Sequence, residues 1–451
     1  MKKIYFSLAI ASILLVSCTG KKSISEQASF IGFADSLFQT NVDSSYIAGA
    51  SVIVFQNGKM LVDKSYGFAN LELAVPMPNH ASFEIGSVTK QFTSAAILKL
   101  VDEGKLSLDD DFTSYLNFDT KGRTITIYDL LNHTSGIPSY TELPDFDGIF
   151  VRNLDRDTLL RIVEKYDFLF EPGEALIYNN SAYFFLGLII EKITEMSYED
   201  FLQEQFFDPL GMNNTYYTST SEVIQNRAFG YSYSENRLKQ KQYLDHTWPY
   251  SAGSLSSTTE DILIWMKALH EGKIFNEKWY NVLTIPGQLK DGTKIRYAMG
   301  LVNYMNFGHK EIAHGGGIPG FLSETRYLPD DDLYIICLVN TMGPKGAGFF
   351  ADELTWKLLD KYEYDPVEID IDLKSLSGKY TGQVRGQIIS IEIDALSNSL
   401  IHTAEVLSQV DTLNIYIGDN TWRDGNSLVT IKNTEYLRDD IYGYYKLEKE
   451  Q

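Results

Sequence analysis

The pattern of apolar and polar positions predicts an α+β region between residues 29 and 362. Residues Ser51–Phe55 and Met60–Val62 flank Gln56-Asn57-Gly58, which is typical of a β-hairpin with an Asn-Gly turn. Apolar residues at helical spacing predict three helices, at Phe92–Val101, Tyr183–Ile193 and Ile262–Leu269. Strands are expected at Ser323–Leu328 and Leu333–Asn340. Strands at both ends with helices between them indicate an α+β fold.

Residues 366–451 have a different pattern, with apolar residues at every second position. Ile389, Ile391 and Ile393 alternate with polar residues, and Leu413, Ile415 and Ile417 repeat this spacing. Asp424-Gly425-Asn426 is typical of a hairpin turn before Val429 and Ile431. The pattern predicts a small all-β domain, a barrel or a sandwich.

Composition and charge exclude one class of partner. The chain has 451 residues, 44% of them hydrophobic, which is enough to bury the cores of two or three domains. Its formal net charge is −21, and basic residues do not cluster with aromatic ones. Because phosphate binding needs positive charge, nucleic acid is not expected as a partner.

The first residues predict export and attachment to a membrane. Lys2 and Lys3 precede an apolar run from Ile4 to Val16, which is the length of a signal-peptide core. The run ends in Leu15-Val16-Ser17-Cys18, which resembles the lipobox of bacterial lipoproteins. We expect a signal peptide at residues 1–17, a lipid on Cys18 and a tether at residues 18–28, so that the protein is held in the cell envelope. The alternative is an ordinary cleaved signal in which Cys18 has no role.

The second cysteine, Cys337, lies in the apolar stretch from Leu333 to Val339. No histidine or lysine pattern near it suggests an activated thiol, so we expect a buried core residue.

The segment Ser87-Val88-Thr89-Lys90 opens the first predicted helix. Residues three apart lie on one face of a helix, so the Ser87 hydroxyl and the Lys90 amine are expected to meet. A lysine kept neutral by burial is a competent proton acceptor for a serine. Taken alone, the same segment also fits an N-cap serine followed by an exposed lysine.

Two further segments carry candidate chemistry. Tyr178-Asn179-Asn180 precedes a helix, and His314-Gly315-Gly316-Gly317 precedes a strand. Each has a simpler interpretation, a core tyrosine with an N-capping asparagine in the first and a structural histidine in the second. A dinucleotide-binding loop is excluded for the second segment because Pro319 and a strand follow it, where a helix is required.

Together and in this order, the three segments resemble the penicillin-binding proteins and class C β-lactamases, with their esterase and D-aminopeptidase relatives. The family pattern is Ser-x-x-Lys, then Tyr-x-Asn, then Lys/His-Thr/Gly-Gly. The resemblance implies a β-lactamase/transpeptidase-like fold, an antiparallel sheet flanked by helices with a mostly helical subdomain, and a lipocalin-like C-terminal barrel. It implies catalytic roles for Ser87, Lys90 and Tyr178, and substrate or oxyanion contacts from Asn180, His314, Gly315, Gly316 and Gly317. Whether Lys90 or Tyr178 is the base stays open.

The resemblance implies hydrolysis through an acyl-enzyme, without a metal or another cofactor. Family β-lactamases usually have lysine at the position of His314, where a fixed charge holds the substrate carboxylate. A neutral histidine weakens that interaction, which favours an ester or a D-amino-acid amide or peptide, including peptidoglycan-like peptides, as substrate. A class C-type β-lactamase and a non-catalytic sensor lipoprotein are the alternatives. The sequence predicts no oligomeric state.

Overall fold

A computed structural model describes residues 27–450 except 147, 154, 219–220, 222, 362–366, 370, 385–386, 397–398, 405–408, 426 and 433. The signal peptide and Cys18 lie outside the described residues, and residues 27 and 28, assigned above to the tether, are helical. The helices are α1 (27–43), α2 (Thr89–Asp102), α3 (Ile127–Leu131), α4 (Arg156–Val163), α5 (Asn180–Thr194), α6 (Tyr198–Leu202), α7 (Asp208–Leu210), α8 (Tyr250–Gly253), α9 (Thr259–His270), α10 (Glu277–Thr284), α11 (Ala347–Leu358) and α12 (Leu373–Leu376).

The strands of the first 350 residues form one large sheet and two small ones, except β5, which pairs with the C-terminal sheet. They are β1 (Gly49–Gln56), β2 (Lys59–Asn70), β3 (Val75–Pro76), β4 (Phe83–Glu84), β5 (Leu176–Ile177), β6 (Tyr216–Tyr217), β7 (Tyr231–Ser234), β8 (Arg237–Gln240), β9 (Leu255–Ser257), β10 (Val302–Asn306), β11 (His309–Ile318), β12 (Phe321–Leu328), β13 (Leu333–Val339) and β14 (Thr341–Met342). The large sheet has the order β10-β11-β12-β13-β1-β2-β3, so the centre strand β13 and its neighbour β1 come from opposite ends of this region.

Helices cover both faces of the large sheet, because successive apolar side chains of β1 point to opposite faces and both sets are buried. Val52 and Val54 pack on one face with residues of α1 and α11, whereas Ile53 belongs to the core on the other face, where α9 contacts β1. The predicted turn between β1 and β2 is confirmed, since Asn57 and Gly58 have φ angles of 49° and 74°, which an Asn-Gly hairpin turn requires. All three predicted helices are confirmed. Cys337 is buried in β13, as expected.

Residues 373–449 form the predicted all-β region. The strands are β15 (Gly378–Val384), β16 (Gln387–Ala395), β17 (Leu400–Ala404), β18 (Gln409–Leu413), β19 (Ile415–Gly418), β20 (Thr421–Asp424), β21 (Ser427–Lys432), β22 (Glu435–Asp440) and β23 (Gly443–Lys449). Their order is β18-β17-β16-β15-β23-β22-β21-β20-β19, a barrel-like antiparallel sheet. The core contains Ile391, Ile393, Val429 and Ile431, as the period-two pattern predicts.

One predicted strand is wrong. Leu413, Ile415 and Ile417 do not share a face, because the chain leaves β18 at Leu413 and begins β19 at Ile415. Leu413 is buried and Ile415 is 39% exposed, while Tyr416 points into the core. The residue between the strands, Asn414, shifts the alternation by one position, and a shift of one exchanges the two faces.

The all-β region contacts the first region directly. Strand β23 pairs with β5, with Gly443 opposite Ile177 and Tyr444 opposite Leu176. The Arg296 guanidinium donates to Asp439 at 3.0 Å. The turn between β22 and β23 is thereby held beside the residues that follow β5. Among the described residues, no helix is both long and apolar enough to cross a bilayer.

Candidate active site

Ser87 lies in a 3-10 turn, Gly86–Val88, immediately before α2. Gly86 has a φ of 51°, and a Cβ there would lie 2.9 Å from the Gly317 nitrogen. Glycine is therefore required by both the backbone angle and the close approach of β11. The turn brings the Ser87 hydroxyl and the Gly317 N–H to the same place.

The Lys90 amine is fully buried and has three partners. Its Nζ lies 3.1 Å from Ser87 Oγ, 2.8 Å from Asn180 Oδ1 and 2.8 Å from the Ala252 carbonyl oxygen. Burial lowers the pKa of Lys90 well below its usual value. A neutral amine has two N–H groups and one lone pair. The two carbonyl oxygens accept the two N–H groups, so the lone pair faces the Ser87 hydroxyl.

Tyr178 follows β5 and lies beside the same amine. The Lys90 Nζ is 4.8 Å from the centre of the Tyr178 ring, and Tyr178 lines the cavity that contains Ser87. The next residue, Asn179, caps α5 by accepting from the Ala182 N–H at 2.9 Å. This cap fixes the start of the helix, which places Asn180 in reach of Lys90.

His133 supports Tyr178 from behind. Its ring is 4.5 Å from the Tyr178 ring, and its Nδ1 accepts from the Asn179 N–H at 3.1 Å. It belongs to the loop after α3, and it positions the Tyr178–Asn180 segment.

The glycines of the third segment lie in β11 next to Ser87. A Cβ at Gly316 would lie 2.1 Å from the Ile85 oxygen and 3.0 Å from the Ser87 nitrogen, so only glycine fits. The N–H of Gly315 donates to a hydroxyl beyond the strand edge, and alternation places the Gly317 N–H on the same edge. The N–H groups of Ser87 and Gly317 are thus available for one carbonyl oxygen.

His314 is buried in the wall of this cleft and is neutral. Its Nδ1 contacts the Gly315 carbonyl oxygen, which can only accept, so Nδ1 holds the proton and Nε2 accepts from the Tyr297 hydroxyl at 3.0 Å. Burial, with a smaller contribution from the charge that Lys90 carries when protonated, lowers the pKa of His314 to about 3. The imidazole therefore has no charge at neutral pH.

Two cavities meet at Ser87 and Gly317. One, of about 390 Å³, contains all the charged side chains that line the two, Glu311, Glu324 and Arg326, together with His314 and Tyr442, and we call it the polar cavity. The other, of about 320 Å³, is lined mainly by apolar and aromatic side chains, among them Tyr140, Phe146, Phe150, Leu244 and Trp248. A substrate bound across Ser87 would extend into both cavities and would meet charged side chains only in the polar cavity.

The structure brings together all eight residues singled out around Ser87, and it adds others that the sequence did not indicate. These are the Ala252 carbonyl, which binds Lys90, and the tyrosines Tyr297 and Tyr442, which contact His314. None of them stands in a motif with recognisable spacing. Among the described residues, no group of three or more acidic, histidine or cysteine side chains has the arrangement of a metal site.

A profile of the β-lactamase family matches residues 34–360. The chain belongs to the β-lactamase family, and its fold is the β-lactamase/transpeptidase-like fold that the resemblance implied. Members of this fold family are serine hydrolases that include penicillin-binding proteins, amidases and esterases.

Individual relatives agree with the family. Protein flp of Staphylococcus aureus (strain N315) is 31% identical over 238 residues, 52% of this chain, and the chain spans about half that relative's length, 47%. An octameric penicillin-binding protein homologue from Pyrococcus abyssi is 25% identical with a TM-score of 0.65, over 93% of this chain and 100% of that one. D-amino acid amidase from Ochrobactrum anthropi shares the fold, with 21% identity and a TM-score of 0.64 over 73% of this chain and 98% of that one.

Proposed function

We propose that the protein hydrolyses an ester or a D-amino-acid amide or peptide bond through an acyl-enzyme on Ser87. One observation carries the proposal, the buried Lys90 amine whose two N–H groups are bound by Asn180 and Ala252. This arrangement leaves the amine lone pair for the Ser87 proton. It is the arrangement that a serine nucleophile needs for activation at neutral pH.

In the first half of the reaction, Ser87 Oγ forms a bond to the substrate carbonyl carbon while its proton passes to Lys90 Nζ. The carbonyl π electrons move to the oxygen, which the N–H groups of Ser87 and Gly317 stabilise. The bond to the leaving amine or alcohol then breaks, and the leaving group takes the proton from Lys90. Tyr178, beside the amine, is positioned to share this proton transfer.

In the second half, water replaces the leaving group. The water gives a proton to Lys90 and bonds to the acyl carbon. Collapse of this second tetrahedral species breaks the bond to Ser87 Oγ, which recovers the proton. The products are a carboxylic acid and the amine or alcohol, and the enzyme returns to its starting state.

The charges around the cleft favour substrates without a carboxylate near the glycine strand. His314 is neutral, and Arg326 is the single cation among the described residues that line the polar cavity. The Arg326 guanidinium already donates to Glu324 at 3.1 Å and to Asp352 at 2.5 Å. A β-lactam carboxylate would find no uncommitted positive charge there, which supports an amide or ester. The D-amino acid amidase with the same fold is consistent with this substrate class.

Labelling and turnover test this proposal together. A fluorophosphonate probe should modify Ser87, as shown by mass spectrometry of the labelled peptide. The unaltered protein should also turn over many equivalents of a D-amino-acid amide or a short p-nitrophenyl ester, and it should hydrolyse nitrocefin far more slowly. Labelling at another residue would contradict the proposal. Labelling of Ser87 without multiple turnover would favour a sensor, and fast nitrocefin hydrolysis would favour a β-lactamase.

We also propose that a lipid on Cys18 anchors the protein in a bacterial cell envelope. The motivation is the lipobox-like sequence before Cys18. A protein expressed with its leader should incorporate radiolabelled palmitate and fractionate with membranes, because two or three acyl chains anchor stably. Cys18→Ser should abolish both properties, whereas Ser17→Ala, a small residue for a small residue, should keep them. Membrane fractionation of Cys18→Ser without label would contradict the anchor.

A further inference from the structure

The turn between β22 and β23 places Tyr442 in the polar cavity that contains Ser87. We propose that Tyr442 ends the substrate-binding edge of β11, so that the enzyme accepts only a short group, about one residue long, on the Gly315 side of the reacting carbonyl. The inference rests on the proposed function, because the edge is the one that presents Gly317. It assigns the C-terminal all-β region a role in substrate selection.

Next to Ser87, the edge of β11 is no longer paired with β10, and Tyr442 covers this edge at Gly315. Strand β10 pairs with β11 only as far as Ala313, opposite Val302. Beyond Ala313, strand alternation places the N–H and C=O groups of Gly315 and Gly317 on that side, where an extended substrate can add as a strand. The Gly315 carbonyl oxygen already accepts from His314 Nδ1. The Gly315 N–H, however, donates to the Tyr442 hydroxyl at 3.1 Å. A substrate backbone would have to displace the tyrosine to use this donor.

The distance along the strand sets the length limit. Gly315 and Gly317 are two residues apart, which is about 6.8 Å along a β-strand. An acyl oxygen held by the Gly317 N–H therefore lies about two residue rises from the position that Tyr442 occupies, which leaves room for one substrate residue between them. A second residue in the same direction would meet the phenol ring.

Tyr442 is held firmly, so it acts as a fixed wall. Its carbonyl oxygen accepts from the Tyr178 N–H at 3.2 Å, and β23 pairs with β5 directly beyond it. Its ring centre lies 5.3 Å from that of Tyr178 and 5.5 Å from that of His314. The salt bridge between Arg296 and Asp439 closes the base of the turn. Moving the ring would disturb contacts with Tyr178 as well.

The end of the cavity also selects by charge. A Cβ on Gly315 would lie 2.9 Å from Glu324 Oε2, so this carboxylate faces the space next to Tyr442. Its other oxygen accepts from Arg326, whose charge is shared with Asp352. Burial raises the pKa of Glu324 to about 7, so this side chain is partly protonated at neutral pH. The short group on this side is therefore expected to carry no negative charge.

Two substrate series test the length limit. In one, the acyl group is constant and the leaving group grows from ammonia to one, two and three alanine amides. In the other, p-nitroaniline is constant and the acyl part grows from one to three residues. In one of the two series, Tyr442→Ala should raise kcat/KM for the long substrate, relative to that for the short one, by about tenfold or more. The reason is that the added substrate residue gains the space that the phenol ring occupied. Tyr442→Phe, which keeps the ring, should raise it less.

Tyr444→Ala is the matched control. Tyr444 packs in the same cluster, two residues further along the chain in β23, but it lines a different cavity, so its truncation should leave the length ratio unchanged. Where Tyr442→Ala is unstable, Tyr442→Leu gives the same comparison with more of the packing retained.

Fluorophosphonates with short and long alkyl chains separate the two proposals, because they report access to Ser87 without turnover. An unchanged length ratio in both series, in a protein whose Ser87 is labelled, would overturn the role of Tyr442 and leave the hydrolase intact. A protein with neither labelling nor turnover would overturn the hydrolase and this inference together.

Discussion

Replacing Ser87 with alanine is expected to lower kcat/KM by about 10⁶-fold for every ester and amide that the unaltered protein hydrolyses. The change removes the oxygen that accepts the acyl group, and the remaining binding groups cannot replace it. The two cavities, the glycine strand and the Lys90 contacts to Asn180 and Ala252 are all left in place. Substrate binding should therefore persist, and the measurement is kcat/KM together with a dissociation constant for an unreacted amide.

Ser94→Ala provides a matched control on α2. Ser94 is buried two turns beyond Ser87, and its hydroxyl lies 3.0 Å from the Tyr183 hydroxyl and outside both cavities. Losing this hydrogen bond should cost about 1 kcal/mol in the free energy of unfolding while kcat/KM stays within a few fold. Ser87→Ala should show the opposite result, full stability without activity. If Ser87→Ala kept more than about a hundredth of the activity, another nucleophile would have to be sought.

The sequence predicts the centre of the site well because its geometry is local there. One helical turn is enough to bring Ser87 and Lys90 together, and the order of three short motifs places Asn180 and Gly317 beside them. The Asn57-Gly58 turn is predictable for the same reason, since two residues with positive φ determine it. The family match over residues 34–360 then accounts for the sheet that joins these segments.

The outer part of the site depends on packing between segments that are distant in the sequence. The periodicity of apolar residues carries no information about such packing. The alternation in β22 and β23 predicts strands, but it does not predict that the turn between them lies against Gly315. Tyr297 reaches His314 because it pairs with Val302 of β10, the neighbour of β11. At Asn414 the same alternation even misleads, because one residue between two strands reverses which side chains face the core.

The second large effect is expected at Lys90. Lys90→Met keeps a long apolar side chain in the buried position but removes the lone pair that faces Ser87 Oγ at 3.1 Å. General-base catalysis contributes about 10²–10⁴-fold to a reaction rate. Because a serine hydroxyl is a weak nucleophile without a base, kcat/KM should fall about 10³-fold. Because the glycine strand is untouched, labelling by a fluorophosphonate should slow by a similar factor and still occur at Ser87.

The pH dependence of kcat/KM identifies the reason for the loss. Burial holds the pKa of Lys90 well below its usual value, and only the neutral amine accepts a proton. Activity should therefore rise with pH through this lowered pKa and already be high well below pH 10. In Lys90→Met this rise should disappear, while Lys99→Met, a change on the same helix but away from the cleft, should keep it. If Lys90→Met kept the pH profile of the unaltered protein, Tyr178 would be the base instead of Lys90.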